Sequence, residues 1–144
     1  MKTYSDQYVS AEERELFSLI QKVVSLLVVP DLGQNNKGED VVLSCHILAR
    51  ATAKVFELKH VDGYFVSCYC HSWLITLSGH VIDVYPVGVL GGPVLWVNAR
   101  NAPTPRLFQK RRLGNGNINS DQSWFRRSVR RVEVALRKLK LEHE

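Results

Sequence analysis

Near Leu58 the hydrophobic pattern of this chain changes period, from helical to strand-like. From Leu43 to Glu57 the apolar positions Leu43, Ile47, Leu48, Ala51 and Val55 recur at helical spacing. Ala49, Ala51 and Ala53 are small enough to let that helix lie close against a sheet. Beyond Leu58, the stretches Lys59–Val66, Tyr69–Thr76 and His80–Tyr85 are rich in Val, Ile, Tyr and Trp, with Gly or Ser between them. A helix followed by three successive antiparallel strands predicts an α+β architecture.

Two further helices are expected to cover this unit. Ser10-Ala11-Glu12-Glu13 reads as a capping box ahead of Leu16, Phe17, Ile20, Val23, Val24 and Leu27, a helix ending before Pro30. Ser120 or Asp121 can cap a last helix over about residues 121–141, with Phe125, Val129, Val132, Leu136 and Leu139 in one stripe. The polar stretch Asp31–Asp40 should be an exposed loop, and Val94–Val97 a short strand. Gly91-Gly92-Pro93 lacks the residues that make a phosphate loop and reads as a turn, and Asn101–Asn119 looks irregular. No repeat or linker divides the chain. The expectation is a single domain, residues 1–144, with its core at 41–98 and about four strands.

The composition, 45% apolar and 23% charged over 144 residues, is that of an ordinary globular chain and argues against disorder or coiled coil. Val23–Val29, the longest apolar run, is interrupted by Ser25 and falls far short of the roughly 20 residues a membrane span needs. Glu12, Glu13 and Glu15 precede any apolar stretch, unlike a signal peptide. An intracellular, cytoplasmic protein is expected, with Cys45, Cys68 and Cys70 as free thiols. Charge is unevenly placed: residues 1–105 carry 8 Lys and Arg against 10 Asp and Glu, and residues 106–144 carry 11 against 4. The basic C-terminal helix is either a solvated face or a surface for an acidic partner, nucleic acid or lipid.

Chemistry concentrates on three residues. A nucleophilic cysteine must be a thiolate, which a helix N-terminus and a neighbouring imidazolium both favour. Cys45 falls in the first turn of its helix, and His71 and Asp83 lie on successive strands. If Leu77-Ser78-Gly79 is a three-residue loop with Gly79 left-handed, Thr76 pairs with His80, and His71 and Asp83 become diagonal neighbours on one sheet face. A two-residue loop would put them on opposite faces, so the triad demands an odd-numbered loop or a bulge. Asp83, within Val81-Ile82-Asp83-Val84, needs a partner if buried, and His71 is the nearest.

Cys45 opening a helix, Lys59-His60-Val61-Asp62-Gly63-Tyr64, His71-Ser72-Trp73-Leu74 and Val81-Ile82-Asp83 together resemble the core of the transglutaminase-like superfamily of papain-fold cysteine enzymes. The matching stretch is about Ser44–Pro86. Val41-Val42-Leu43-Ser44 stands where the family has glycine and aromatic residues before its nucleophile. The resemblance implies a compact papain-like fold with Cys45 as nucleophile, His71 as general base and then acid, and Asp83 as the orienting carboxylate. Tyr64 and Trp73 read as core or cleft wall, and the resemblance places Trp73 near the active-site cleft. The activity implied is acyl chemistry on an amide bond of a peptide or similar substrate through an acyl-enzyme, with peptidase or amidase favoured over transfer and no cofactor required. The Cys45 N–H would serve an oxyanion; Gln34, Asn35 and Asn36 are upstream candidates for the second donor.

Two other readings stay open. One is a non-catalytic interaction module of the same fold, docking an acidic partner through the basic C-terminal helix. The other is zinc held by Cys68, Cys70 and His71 with Cys45 and His46, although Cys-x-Cys on a strand departs from the usual structural spacing. His46, His60 and His80 have no evident partners in the sequence and read as loop or surface histidines.

Overall fold

A computed structural model describes residues 9–28, 31–66, 68–85, 93–96, 108–113 and 118–144. The described chain is α+β, with helices α1 (Ala11–Ser25), α2 (Cys45–Phe56) and α3 (Ser123–His143) and one antiparallel sheet. The strands are β1 (Lys59–Phe65), β2 (Tyr69–Ile75), β3 (Val81–Asp83), β4 (Val94–Trp96) and β5 (Phe108–Lys110), in the order β4-β3-β2-β1-β5. No helix among the described residues is long and apolar enough to cross a membrane.

Helix α2 lies at the centre. Ser44 caps it, its hydroxyl accepting from the Ile47 N–H at 3.3 Å, and ten of its twelve residues are buried. The alanines keep its surface flat, so it packs against both α3 and β2. Ser10 caps α1 by accepting from the Glu13 N–H at 3.1 Å, and Phe17, Ile20 and Val23 form its buried stripe. The Glu13 carboxylate, however, does not stay in the cap; it accepts from Ser78 Oγ at 2.5 Å and lies 3.5 Å from His80 Nε2, tying α1 to the β2–β3 loop. Helix α3 buries Phe125, Val129, Val132 and Leu136, each fully buried aliphatic contributing about 1.5–3 kcal/mol. Its N-cap is Gln122 rather than Ser120 or Asp121, and the Gln122 amide oxygen accepts from Asn36 Nδ2 at 2.9 Å instead of capping the helix.

Alternation on the strands separates two cores. Leu74, Ile82 and Leu95 pair across the sheet on the face beneath the helices, while Trp73, Val81, Val94 and Phe65 cluster on the other face. Leu74 pairs with Ile82 and Ile75 with Val81, and Thr76 N–H donates to the His80 carbonyl at 2.9 Å. That is the three-residue loop register, with Gly79 at φ +84°. His71, Trp73 and Asp83 therefore share one face.

The stretch Asn101–Asn119 is not wholly irregular: residues 108–110 form β5, which pairs with β1 from Gly63↔Lys110 to Phe65↔Phe108. Three residues are too few to carry a readable period. Their docking depends on Gly63, where a Cβ would stand 2.0 Å from the Gln109 carbonyl oxygen and 2.8 Å from Trp73 Cη2. Gly88, Gly91 and Gly92 lie outside the described residues. In the loop Asp31–Asp40, Leu32 is buried and Gln34 bridges Asp40; the remainder is largely exposed.

Gly63→Ala should force β5 off β1, a backbone clash that no side-chain rotation relieves. The expected loss is about 2 kcal/mol or more in urea unfolding, at the upper part of the overpacking range, with faster hydrogen exchange at residues 108–110.

Candidate active site

Cys45 is the first residue of α2, so the helix N-terminus points at its thiol, and the N–H groups of the first turn have no intrahelical acceptor. The residue is buried, 9% exposed. Burial opposes ionisation, but hydrogen bonds and charge interactions with His46 and His71 outweigh it and bring the thiol down to about 6. His71 Nε2 lies 2.8 Å from Asp83 Oδ2, which leaves Nδ1 as the nitrogen for Cys45. Burial disfavours the imidazolium, yet the hydrogen bonds to Asp83 and Cys45 overcome it and raise His71 to about 9. Asp83 has none of its surface exposed, and burial pushes its carboxyl up against the pull of His71 and of the Tyr85 N–H, which donates at 3.4 Å. Between about pH 6 and pH 9 the three groups form a thiolate, an imidazolium and a hydrogen-bonded carboxyl group.

The His71 ring is boxed by aromatic groups: Trp73 at 6.1 Å between centroids, Phe65 at 5.8 Å and Phe108 at 6.4 Å. Trp73 is thus a buried brace for the histidine, only 3% exposed, rather than an open cleft wall. Tyr64 is half-buried, opposite Cys70.

His46 is a second buried histidine at Cys45, not the surface residue its sequence context suggests. Its Nδ1 is 2.7 Å from Ser72 Oγ, and the Ser72 hydroxyl donates to Asp62 Oδ1 at 2.5 Å. Because the single hydroxyl proton goes to Asp62, Ser72 accepts from His46, which assigns a proton to Nδ1 and leaves Nε2 for Cys45. Arg50 closes the chain with a bidentate clamp on Asp62 at 3.0 and 2.7 Å. Arg50 and Ser72 oppose burial and hold Asp62 below the usual carboxylate range. Cys45 is flanked by two histidines, each oriented by a carboxylate, one directly and one through a serine. The signals in the sequence were the i, i+4 spacing of His46 and Arg50 on one helix face and the β1–β2 register, which pairs Asp62 with Ser72.

The remaining expectations fall elsewhere. Gln34 and Asn36 hydrogen bond to Asp40 and Gln122; the Asn35 carboxamide oxygen accepts from the Lys37 and Glu39 N–H groups, and Asn35 also lines the cleft at the N-terminus of α2. Cys68 is exposed and Cys70 half-buried, on the strand face opposite His71. Among the described residues no group of three or more His, Cys, Asp or Glu is gathered as metal ligands. His80 is buried against Glu13, and His60 is exposed at the start of β1, where desolvation and Arg50 lower its pKa. The cleft that borders the N-terminus of α2, about 230 Å³, is lined by Ser44 and His46 with Val42, Ile118 and Trp124. No family model, curated protein or solved structure matches this chain.

Ser72→Ala should leave the buried His46 Nδ1 proton without its acceptor. A destabilisation of about 1–3 kcal/mol is expected by denaturant unfolding, together with a raised pH midpoint for Cys45 alkylation.

Proposed function

We propose that the protein is a cysteine-dependent enzyme that performs acyl chemistry on an amide bond, with Cys45 as nucleophile, His71 as general acid and base, and Asp83 as orienting group. The observation that carries this reading is the His71 ring held between Asp83 and the thiol of Cys45 at a helix N-terminus. The α+β architecture, with a buried helix opened by the cysteine and the histidine and aspartate on successive antiparallel strands, supports a compact papain-like fold of transglutaminase-like type.

The Cys45 thiolate attacks the amide carbonyl carbon, and the carbonyl π electrons move to oxygen. The Cys45 N–H at the helix tip donates to that oxyanion. As the C–N bond breaks, His71 gives its Nδ1 proton to the leaving amine and becomes neutral. The thioester is then attacked by water, whose proton His71 takes; collapse releases the acid and restores the thiolate and imidazolium. Asp83 keeps Nε2 hydrogen bonded throughout, so the same nitrogen faces the reaction in both half-cycles. His46 supplies a second hydrogen bond at sulfur, which favours the thiolate before substrate arrives. A peptidase or amidase is the reading, with water as acceptor.

Iodoacetamide alkylation of Cys45, followed by mass spectrometry, should be half-maximal near pH 6, and His71→Ala should move it up toward an ordinary thiol at about 8.5. Acylation by p-nitrophenyl acetate should place one acetyl group on Cys45 and show a bell-shaped pH profile. The rising limb near 6 marks loss of the thiol proton, and the falling limb near 9 marks loss of the His71 proton. Titration of Cys45 as an ordinary thiol in the wild type, or acetylation confined to Cys68 and Cys70, overturns the reading.

A further inference from the structure

Away from Cys45, cations from α2, β1, β5 and α3 converge around Lys59 and His60. A cleft of about 470 Å³ between α2 and α3 has a floor of Ala53, Leu58, Phe125 and Val129 and a rim of Arg50, Lys54, Lys59, Arg126 and Arg130. A second cleft, about 550 Å³, adjoins it at Lys59 and His60 and adds Lys110, Arg111 and Arg112. Asp62 is the one acid in either lining, and the Arg50 clamp already neutralises it. The other seven cations of the two linings make no ion pair among the described residues.

Gathering like charges over an apolar floor is unfavourable, since the floor lowers the local dielectric and strengthens their repulsion. The arrangement also runs against the dipole of α3, whose first turn contains no acid and is followed by Arg126 and Arg127. Not all of these arginines face the cleft. Arg127 donates to the Gln34 carbonyl at 3.2 Å and Arg131 to the Asp31 carbonyl at 2.6 Å, fastening the 31–40 loop. Arg126 and Arg130, one turn apart on a neighbouring face, are in the cleft, where Arg126 also donates to the Asp121 carbonyl. A bound anion relieves the repulsion, and the guanidinium fork matches phosphate oxygens.

We infer that this cleft binds a phosphorylated small molecule of nucleotide size. Its volume falls within the roughly 300–1,000 Å³ of small-ligand sites. The apolar body of the ligand rests on Ala53, Leu58 and Val129, and the phosphates engage Arg126, Arg130 and Lys54. A chain of several phosphates extends past Lys59 toward Lys110. Arg50 stays with Asp62, so occupancy leaves the hydrogen bonds at Cys45 in place. The inference is independent of the acyl chemistry.

The test is isothermal titration of the full chain at about 0.15 M salt with ATP, adenosine, inorganic triphosphate and a series of single-stranded oligonucleotides. ATP should bind at least about tenfold more tightly than adenosine or triphosphate, since both parts of the cleft are used. Arg126→Gln with Arg130→Gln, and separately Lys54→Gln with Lys59→Gln, should each weaken ATP by about tenfold or more. Lys22→Gln with Lys138→Gln, which removes the same charge elsewhere, should change it less than about twofold. Thermal melting checks that each variant folds, and Cys45 alkylation should be unchanged in all of them. No binding by about 1 mM ATP, equal loss in all three double variants, or triphosphate binding as well as ATP overturns the inference. So does oligonucleotide affinity that grows with length and displaces ATP, which assigns the groove to a nucleic-acid backbone.

Discussion

A carboxyl group with no exposed surface sits near the middle of this fold, and much else answers to it. Asp83 lies between Ile82 and Val84, both fully buried, where an isolated charge is very costly. The Tyr85 N–H reaches it at 3.4 Å, and the closer donor is His71 on the same sheet face, which in turn requires Thr76 to pair with His80 across a loop of odd length. Gly79 supplies the left-handed residue such a loop needs. The aromatic box of Phe65, Trp73 and Phe108 then excludes water from the histidine and keeps the pair strong. Loop chemistry, strand register and core packing thus converge on one 2.8 Å hydrogen bond.

The parts legible in the sequence are those where local chemistry and pattern agree. Ser10 and Ser44 cap their helices, the apolar stripes of α1, α2 and α3 are buried, and the β2–β3 register follows from counting around Gly79. Elements that depend on distant partners were not legible. Strand β5 has three residues and docks only because Gly63, 45 or more positions earlier, bears no side chain. The N-cap of α3 is Gln122, whose side chain bonds Asn36, 86 positions earlier, and not the helix end. His46 looked like a bystander because its partners, Ser72 and Asp62, come from two strands, and a residue beside a cysteine in sequence draws no notice as its neighbour in space.

The positive charge of the last quarter of the chain likewise divides by contact rather than by count. Arg127, Arg131 and Arg137 donate to the carbonyls of Gln34, Asp31 and Lys54, so they act as struts that hold loop and helix ends. Arg137 also pairs with Glu133 at 3.0 Å, one turn back on the helix. Arg126 and Arg130 stand one position before Arg127 and Arg131, yet border a cleft with other cations. A helix of this composition therefore has one structural arginine face and one that remains electrostatically uncompensated.

Strand β5 also carries a consequence for the order of assembly. Helix α2 and strands β1 to β3 form a run of near-neighbour contacts from residue 45 to 83, whereas Phe108 reaches the His71 box only after the chain has doubled back across the sheet. Local pairings close first and distant ones last. During synthesis the hairpins therefore form while His71 is still open to water on its Phe108 side. The Phe108 wall of the His71 box is therefore the last to arrive, and the His71–Asp83 pair is fully enclosed only when β5 docks on β1.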